Sequence, residues 1–325
     1  MSMLQPFRLL PEYRDYVWGS DRLRPGHSPT AEAWVVYEKD RIADGVFSGR
    51  SLGDVATEIG AELLGKPVVE RTGLRFPLLI KLLDCAQWLS LQVHPNDAQA
   101  RELEGPGFFG KTEAWHMVES DPGAEILCGL QTSIDREGLS AVIREGRLVE
   151  HLRRMQVRTG ETIFIKPGML HALGPGLLIY EIQQTSDLTY RVWDWDRPAT
   201  AGRKLHIEQS LAVIDLNAVA VAKSNPPAKE AAVRRLVACE YFELEKIEGK
   251  HCRFESDTYG ETFHALTVIQ GQARIENHGW QSRLVKYDTL LVPAGCFNYA
   301  IIPEPEVQIL RASVPIMIEE GLKVP

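Results

Sequence analysis

The chain has 325 residues, 44% of them hydrophobic and 25% charged, which is ordinary for a soluble globular protein and leaves room for two domains. Its formal net charge of −8 argues against nucleic acid as a partner, and no apolar run reaches the length of about 18 residues that would suggest a membrane span. The five cysteines form no C-x-x-C pair and the N-terminus lacks a signal-like apolar run, which together argue against a disulfide framework and predict a cytoplasmic protein.

Two helical regions are predicted in the first half of the chain. Apolar residues recur at helical spacing over residues 51–65, where Ser51 is a suitable N-cap and Gly65 a natural stop. A second helical region spans about residues 133–155, with apolar residues on one side and a glycine as a break.

The other segments are typical of strands. Apolar runs predict strands within residues 76–84 and 89–97. From residue 160 onward, short apolar runs broken by glycine, proline and asparagine predict mostly strand. The polar, proline-rich segment over residues 223–232 is the best candidate for a linker.

Two late segments repeat one pattern without a gap. Residues 160–173 (GETIFIKPGMLHAL) align with residues 287–300 (YDTLLVPAGCFNYA), so that Asn298 stands where His171 stands. Each segment has an apolar strand, a turn with proline and glycine, and a polar residue three positions further on. The pattern resembles a cupin signature, and two unrelated β-turn-β units of similar composition are the alternative.

We therefore predict a mainly β protein of two tandem cupin-like jelly-roll barrels, with a few helices inserted in and around the first. Residues 1–222 would form a catalytic, metal-binding domain that contains both helical insertions. Residues 223–325 would form a degenerate second domain without metal ligands, because Asn298 replaces a histidine and His264 has no second histidine two residues away.

The first candidate metal ligands lie in the segment LSLQVHP, residues 89–95. Because strand side chains alternate between two faces, Ser90, Gln92 and His94 project together, and Pro95 then ends the pairing. In a barrel this polar face looks into the cavity, since the apolar face packs outward. A strand-end histidine bonded to backbone is the alternative for His94 taken alone.

Glu113 and His171 extend the candidate site. Glu113 lies in the apolar strand GKTEAWHMV, where burying an unpaired carboxylate is costly and either a metal or Lys111 would offset that cost. His171 closes the turn after ETIFIKPG, where a cupin strand delivers a ligand to the cavity mouth. Two histidines, a carboxylate and an amide oxygen suit Zn²⁺ with an open position, and Fe²⁺ or Mn²⁺ less decisively.

Four segments, FPLLIKLLDCAQWLSLQVHPND, GKTEAWHMVE, KPGMLHALGPG and YEIQQTSDLTYRVWDWDR, closely resemble in this order the type I mannose-6-phosphate isomerases, in particular the compact bacterial branch. The resemblance extends to YRDYVWGSDRL and SLGDVATEIGAELLG, and so covers most of residues 10–215. It implies one Zn²⁺ per chain, held by Gln92, His94, Glu113 and His171. Whether Gln92 ligates the metal directly is left open by the compact branch.

The resemblance also implies an aldose–ketose isomerase that interconverts mannose 6-phosphate and fructose 6-phosphate through an enediol. This proton transfer needs an electrophile at the carbonyl oxygen and a base near both carbons. The candidates for catalysis are Arg191, Lys111, Glu181 and Asp187, and those for phosphate binding are Ser90 and Arg197. Neither the residues nor the resemblance chooses the base among Lys111, the two acids and a metal-bound water.

Both basic catalytic candidates have a structural alternative. Lys111 would form a plain ion pair with Glu113, and Arg191 would pair with Asp187 or Asp194.

Three other functions stay open. A cupin iron oxygenase would share the site of two histidines and one carboxylate, and a non-catalytic metal- or sugar-binding cupin would keep the fold without turnover. An isomerase acting on another sugar or sugar phosphate is the third, because Val35 replaces an acid of the family pattern after Trp34. We expect a small sugar phosphate as the partner, and the sequence leaves the oligomeric state open.

Overall fold

A computed structural model describes residues 4–197, 204–228 and 230–316 of the chain. The α-helices of these residues are α1 (Leu52–Ile59), α2 (Ala61–Leu64), α3 (Lys66–Thr72), α4 (Asp97–Glu104), α5 (Arg136–Arg144) and α6 (Ile207–Val213). The strands up to residue 193 are β1 (Phe7–Arg8), β2 (Glu12–Arg14), β3 (Glu32–Val36), β4 (Leu78–Cys85), β5 (Leu91–Val93), β6 (Glu113–Ser120), β7 (Glu125–Leu130), β8 (Leu152–Gln156), β9 (Glu161–Ile165), β10 (His171–Leu173), β11 (Leu177–Gln184) and β12 (Tyr190–Trp193). The later strands are β13 (Ala222–Ser224), β14 (Ala232–Ala238), β15 (Glu243–Lys250), β16 (Phe254–Asp257), β17 (His264–Asn277), β18 (Trp280–Val285), β19 (Thr289–Val292) and β20 (Asn298–Ser313).

These strands form three largely antiparallel sheets. One sheet has the order β12-β5-β10-β7-β8, and a second has the order β13-β9-β6-β11-β4-β3-β2. The third has the order β1-β19-β17-β20-β15-β14, with β16 paired to β20 and β18 paired to β17. The predicted mainly β, cupin-like fold class is confirmed. Within the described ranges, no helix has the length and apolar character needed to cross a membrane.

The chain divides into two compact units, counted over their described residues. One comprises Tyr13–Glu32 and Leu82–Ser224, and the other comprises Met1–Glu12, Ala33–Lys81 and Asn225–Pro325. The chain passes between them after Ser224, inside the predicted linker and beside the predicted domain boundary. In this grouping residues 4–12 and residues 33–81, which contain α1 to α3, belong with the C-terminal strands.

The predicted helical regions contain shorter helices than expected. The Ser51 hydroxyl accepts a hydrogen bond of 3.1 Å from the backbone N–H of Asp54, so the predicted N-cap of α1 is confirmed. The second region contains α5, but its last residues form β8, because they pair with β7 in the register Ile126 to Met155. The prediction that residues 152–155 belong to a helical region is therefore wrong.

Strand β5 lies within the predicted segment over residues 89–97 and ends at Val93, before Pro95. Asn96 then begins α4 through a capping box that was not predicted. Asn96 Oδ1 accepts the N–H of Gln99 at 2.9 Å, and Gln99 Oε1 accepts the N–H of Asn96 at 3.0 Å. This cap satisfies the first turn of α4 directly after the candidate ligand His94.

The two faces of β5 point towards two different hydrophobic cores. Its apolar residues Leu91 and Val93 pack outward in a core with residues of α5 and α6, among them Leu139 and Val213. The other core fills the space between the five-stranded and the seven-stranded sheet, and it contains Trp115 of β6. Since side chains alternate along a strand, Gln92 faces this second, interior side, as the sequence predicts.

The repeated sequence segments have the same secondary structure. Strand β9, a turn and β10 form the first copy, and β19, a turn and β20 form the second. His171 is the first residue of β10 and Asn298 is the first residue of β20, so each of the two matched positions begins a strand.

His264 is a buried histidine of the C-terminal strands, and its Nδ1 lies 2.9 Å from the hydroxyl of Tyr299. Burial, together with the charge of Arg311, lowers the pKa of His264 to about 3. The neutral ring is therefore the form that the folded protein holds at physiological pH.

Acidification should destabilise the protein through His264. A histidine in the unfolded chain, with a pKa of about 6.5, takes up a proton that the buried ring does not, so stability falls as pH drops below that value. Between pH 7 and pH 5 this one group should cost about 2 kcal/mol of unfolding free energy. Urea unfolding of the wild type and of His264→Gln at both pH values measures the effect. An equal loss of stability in both proteins would contradict it.

Candidate metal centre and active site

Three predicted ligands come together at the ends of three strands. His94 follows β5, Glu113 begins β6 and His171 begins β10, so that two of the strands belong to the five-stranded sheet and one to the seven-stranded sheet. All three side chains are buried, with exposed fractions of 1%, 0% and 0%. The site therefore lies in the interior between the two sheets, where ionisable groups are retained only with partners.

The two histidines lie on either side of one carboxylate. Glu113 Oε1 lies 3.4 Å from His171 Nε2, and Glu113 Oε2 lies 3.6 Å from His94 Nε2. One ligand atom from each residue lies within 4.8 Å of the other two. In the part of the chain that the structure describes, this is the one cluster of three or more histidine, cysteine or acidic side chains so arranged.

Backbone carbonyls orient both imidazole rings. His94 Nδ1 lies 3.0 Å from the Leu188 oxygen, and His171 Nδ1 lies 2.9 Å from the Met169 oxygen. A carbonyl can only accept a hydrogen bond, so each Nδ1 donates, and the neutral ring presents its Nε2 lone pair to Glu113. Burial, assisted by the charge of Lys111, lowers the pKa of His171 to about 4, which keeps that ring neutral at pH 7.

This donor set fits a divalent metal ion. Two imidazole nitrogens and a carboxylate oxygen converge, and neighbouring ligand atoms of a tetrahedral zinc site lie roughly 3.3 Å apart, close to the measured 3.4 and 3.6 Å. His171 Nε2 accepts no hydrogen bond from any described residue although it is buried. Zn²⁺ bound by these three residues would retain an open position for a further ligand.

Gln92 is half-buried and belongs to a row of directly opposed residues that crosses β10, β5 and β12 and contains His171, Gln92 and Arg191. In the antiparallel register, Gln92 of β5 stands opposite His171 of β10 on one side and opposite Arg191 of β12 on the other. Directly opposed residues project from the same face of a sheet, so the amide lies between the candidate ligand and the guanidinium. Direct ligation of a metal by Gln92 stays a prediction.

Lys111 forms an ion pair with Glu113, the contact that was predicted as the alternative to a catalytic role. Its Nζ lies 2.9 Å from Glu113 Oε2, and the lysine is only 3% exposed. The positive charge offsets part of the cost of burying the carboxylate. The same position puts an ammonium group beside the metal candidates, so the ion pair and a catalytic role are compatible.

Glu181 lies on the neighbouring strand β11 and is buried. Its Oε2 accepts a hydrogen bond of 3.0 Å from Trp115 Nε1, and the Trp115 ring lies 5.3 Å from the His171 ring in an edge contact. Gln183 of β11 stands directly opposite Glu113. Trp115 and Gln183 were not predicted as site residues, although each lies two residues from a predicted one and therefore shares its face.

The remaining predicted site residues lie in different surroundings. Ser90 is buried immediately before β5, and Asp187 is exposed in the loop between β11 and β12. Arg197 donates to Asp194 Oδ1 at 3.1 Å and to the Trp88 oxygen at 2.7 Å, so protein groups already engage its guanidinium. The phosphate role of Ser90 and Arg197 and the acid–base role of Asp187 stay predictions.

Asp194, one of the two acids that could pair with Arg191, accepts a hydrogen bond from Arg197. Arg191 Nη1 donates to the Lys204 oxygen at 3.1 Å. This contact holds the side chain at the end of the row that contains Gln92 and His171.

Known proteins share this fold. The family model described as phosphomannose isomerase type I, catalytic domain, matches residues 7–107. The mannose-6-phosphate isomerase of Streptococcus mutans is 35% identical over 309 residues, 90% of this chain and 93% of that protein. Mannose-6-phosphate isomerase ManA of Bacillus subtilis is 31% identical over 312 residues, 91% of this chain and 96% of that protein. The crystal structure of the Bacillus subtilis mannose 6-phosphate isomerase superposes with a TM-score of 0.85 at 30% identity, covering 95% of this chain and 99% of that one.

The buried histidines and carboxylate between two sheets define a cupin-type enzyme. The chain belongs to the type I phosphomannose isomerase family. The predicted resemblance and the predicted isomerase class are confirmed.

Removing either histidine should abolish stoichiometric zinc binding. His94→Ala and His171→Ala each leave two of three close ligands, so we expect zinc affinity to fall at least about 100-fold. Metal analysis after dialysis against equimolar zinc measures this, with the half-buried His151→Ala as the control. Retention of one zinc per chain in either ligand variant would exclude the assigned centre.

Proposed function

We propose that this protein interconverts mannose 6-phosphate and fructose 6-phosphate with a Zn²⁺ ion held by His94, Glu113 and His171. The observation that carries the proposal is the convergence of two buried imidazoles on one buried carboxylate, in a chain of this isomerase family. Zinc bound there would supply a Lewis acid beside the reacting oxygens. A cytoplasmic location is part of the proposal and is supported by five free cysteines.

Charge balance suits a reaction that develops negative charge on oxygen. Lys111 and Glu113 offset each other, and the neutral His171 adds no charge. The ammonium of Lys111 is fixed by its 2.9 Å contact, so it can stabilise a developing enediolate without reorganising during the reaction. In this proposal Lys111 holds the negative oxygen while another group moves the proton.

Transfer of the proton between C1 and C2 of the sugar requires a base within reach of both carbons. Glu181 is buried on β11, the strand paired with the one that carries Glu113, and the Trp115 N–H donates to its Oε2 at 3.0 Å, which fixes the orientation of the carboxylate. Asp187 is the alternative, since an exposed loop acid can approach a bound sugar from outside. Buried position and fixed orientation favour Glu181.

The phosphate group requires a cationic partner. Arg191 is aligned with Gln92 and His171 across three strands, and its forked guanidinium suits a phosphate or an enediolate oxygen. The register that places Arg191 in line with His171 favours it over Arg197 as the principal anion contact. Ser90 would add a hydroxyl donor from the strand that carries Gln92.

A coupled assay tests the function. Purified protein given mannose 6-phosphate should form fructose 6-phosphate, lose activity to a chelator and regain it with zinc. Arg191→Ala should keep its zinc and lose at least about 100-fold in kcat/KM, because a fixed positive charge at the anionic substrate is removed.

The exposed Arg158→Ala serves as the matched control and should behave like the wild type. Metal-loaded wild type without turnover would favour a non-catalytic binding protein. Activity that survives complete zinc removal would contradict the proposed electrophile. Turnover of another sugar phosphate alone would retain the chemistry and change the substrate.

A further inference from the structure

The segment over residues 204–206 holds Arg191 by three hydrogen bonds. The backbone N–H of Arg191 donates to His206 Nδ1 at 3.2 Å, and the backbone N–H of His206 donates to the Arg191 oxygen at 2.8 Å. The Arg191 guanidinium donates to the Lys204 oxygen at 3.1 Å. Both backbone groups and the side chain of Arg191 are therefore fixed by a segment more than ten residues further along the chain.

The bond to His206 Nδ1 defines the state of the imidazole. A backbone N–H can only donate, so Nδ1 must carry a lone pair, and the proton of the neutral ring must sit on Nε2. Protonation would convert Nδ1 into a donor facing another donor. The bond to Arg191 consequently exists only while His206 is neutral.

We propose that His206 is a positioning residue that fixes Arg191 for its contact with the phosphorylated substrate. The proposal rests on the function proposed above, because it gives Arg191 the anion to bind. Strand β12 carries Arg191 opposite Gln92, so a shift of its backbone would move the guanidinium along the row that ends at His171. Small displacements of a binding group are costly, because catalysis depends on geometry.

The groups around His206 favour its neutral form. Burial, followed by the positive charges of Arg191 and Lys204, lowers the pKa of His206, and Glu104 opposes them. Tyr190 also faces the ring, at 6.2 Å between centroids, and its hydroxyl donates to Glu104 at 2.9 Å. Near neutral pH the acceptor is therefore available, and it is lost as the medium becomes acidic.

The position of His206 at the start of α6 can be separated from its contact with Arg191. His206 is the N-cap residue of α6, but its side chain makes no capping hydrogen bond. Replacing the imidazole therefore removes the acceptor for Arg191 without removing a helix cap.

Kinetics of two substitutions test the proposal. Asn places an amide oxygen near the position of Nδ1 and does not titrate, whereas Ala offers no acceptor. We expect His206→Ala to raise KM for mannose 6-phosphate at least about tenfold with a smaller effect on kcat and normal zinc content. His206→Asn should restore KM to within about threefold of the wild type and remove the contribution of His206 to the acid limb of the pH profile.

Amide exchange of the full chain gives a readout that does not depend on turnover. By NMR, the Arg191 amide should be protected in the wild type and in His206→Asn, and its protection factor should fall at least about tenfold in His206→Ala. Acidification should remove the protection in the wild type but not in His206→Asn. The exposed His27→Ala is the control for both measurements.

Wild-type KM together with a protected Arg191 amide in His206→Ala would overturn the positioning role. An inactive wild type would instead refute the proposed isomerisation. In that case the exchange measurement alone decides whether His206 fixes Arg191, and an unchanged protection factor would overturn it.

Discussion

The buried carboxylate of Glu113 is the constraint on which this centre depends. An isolated negative charge between two sheets would be strongly destabilising, so it requires a positive partner. Lys111 supplies a positive charge at 2.9 Å, and the two imidazoles turn their Nε2 atoms towards the same oxygens because backbone carbonyls hold their Nδ1 atoms. The arrangement is costly without a cation and favourable with one, which is the usual relation between a preformed metal site and its ion.

Strand register aligns this centre with Gln92 and Arg191 across neighbouring strands. His171, Gln92 and Arg191 lie on three adjacent strands of one sheet, so the spacing from metal candidate to guanidinium is set by backbone pairing and not by flexible loops. Groups built on strands hold their geometry more tightly than groups built on loops. The less fixed end of the row is Arg191, and the segment at residues 204–206 supplies the hydrogen bonds that β12 does not receive from β5.

Local patterns in the sequence were sufficient for the strand that carries Gln92 and His94, for the cap at Ser51 and for the repeated β-turn-β unit, because each depends on residues close together in the chain. They were insufficient for α4, whose Asn96–Gln99 capping box follows the strand directly and was not predicted. They also failed to supply the partners of Arg191 and Arg197, because those contacts depend on register and on loops that return from further along the chain. The grouping of residues 33–81 with the C-terminal strands is likewise a property of long-range contacts.

The candidate ligands belong to two different sheets, and this has a mechanical consequence. His94 and His171 extend from the five-stranded sheet and Glu113 from the seven-stranded sheet, so a shared ion would act as a cross-link that resists their separation. At a free concentration 1,000 times its dissociation constant, such an ion contributes about 4 kcal/mol to the folded state. Loss of the metal would thus weaken the contact between the two sheets as well as abolish catalysis. Cellular zinc supply would then govern the lifetime of the protein together with its activity.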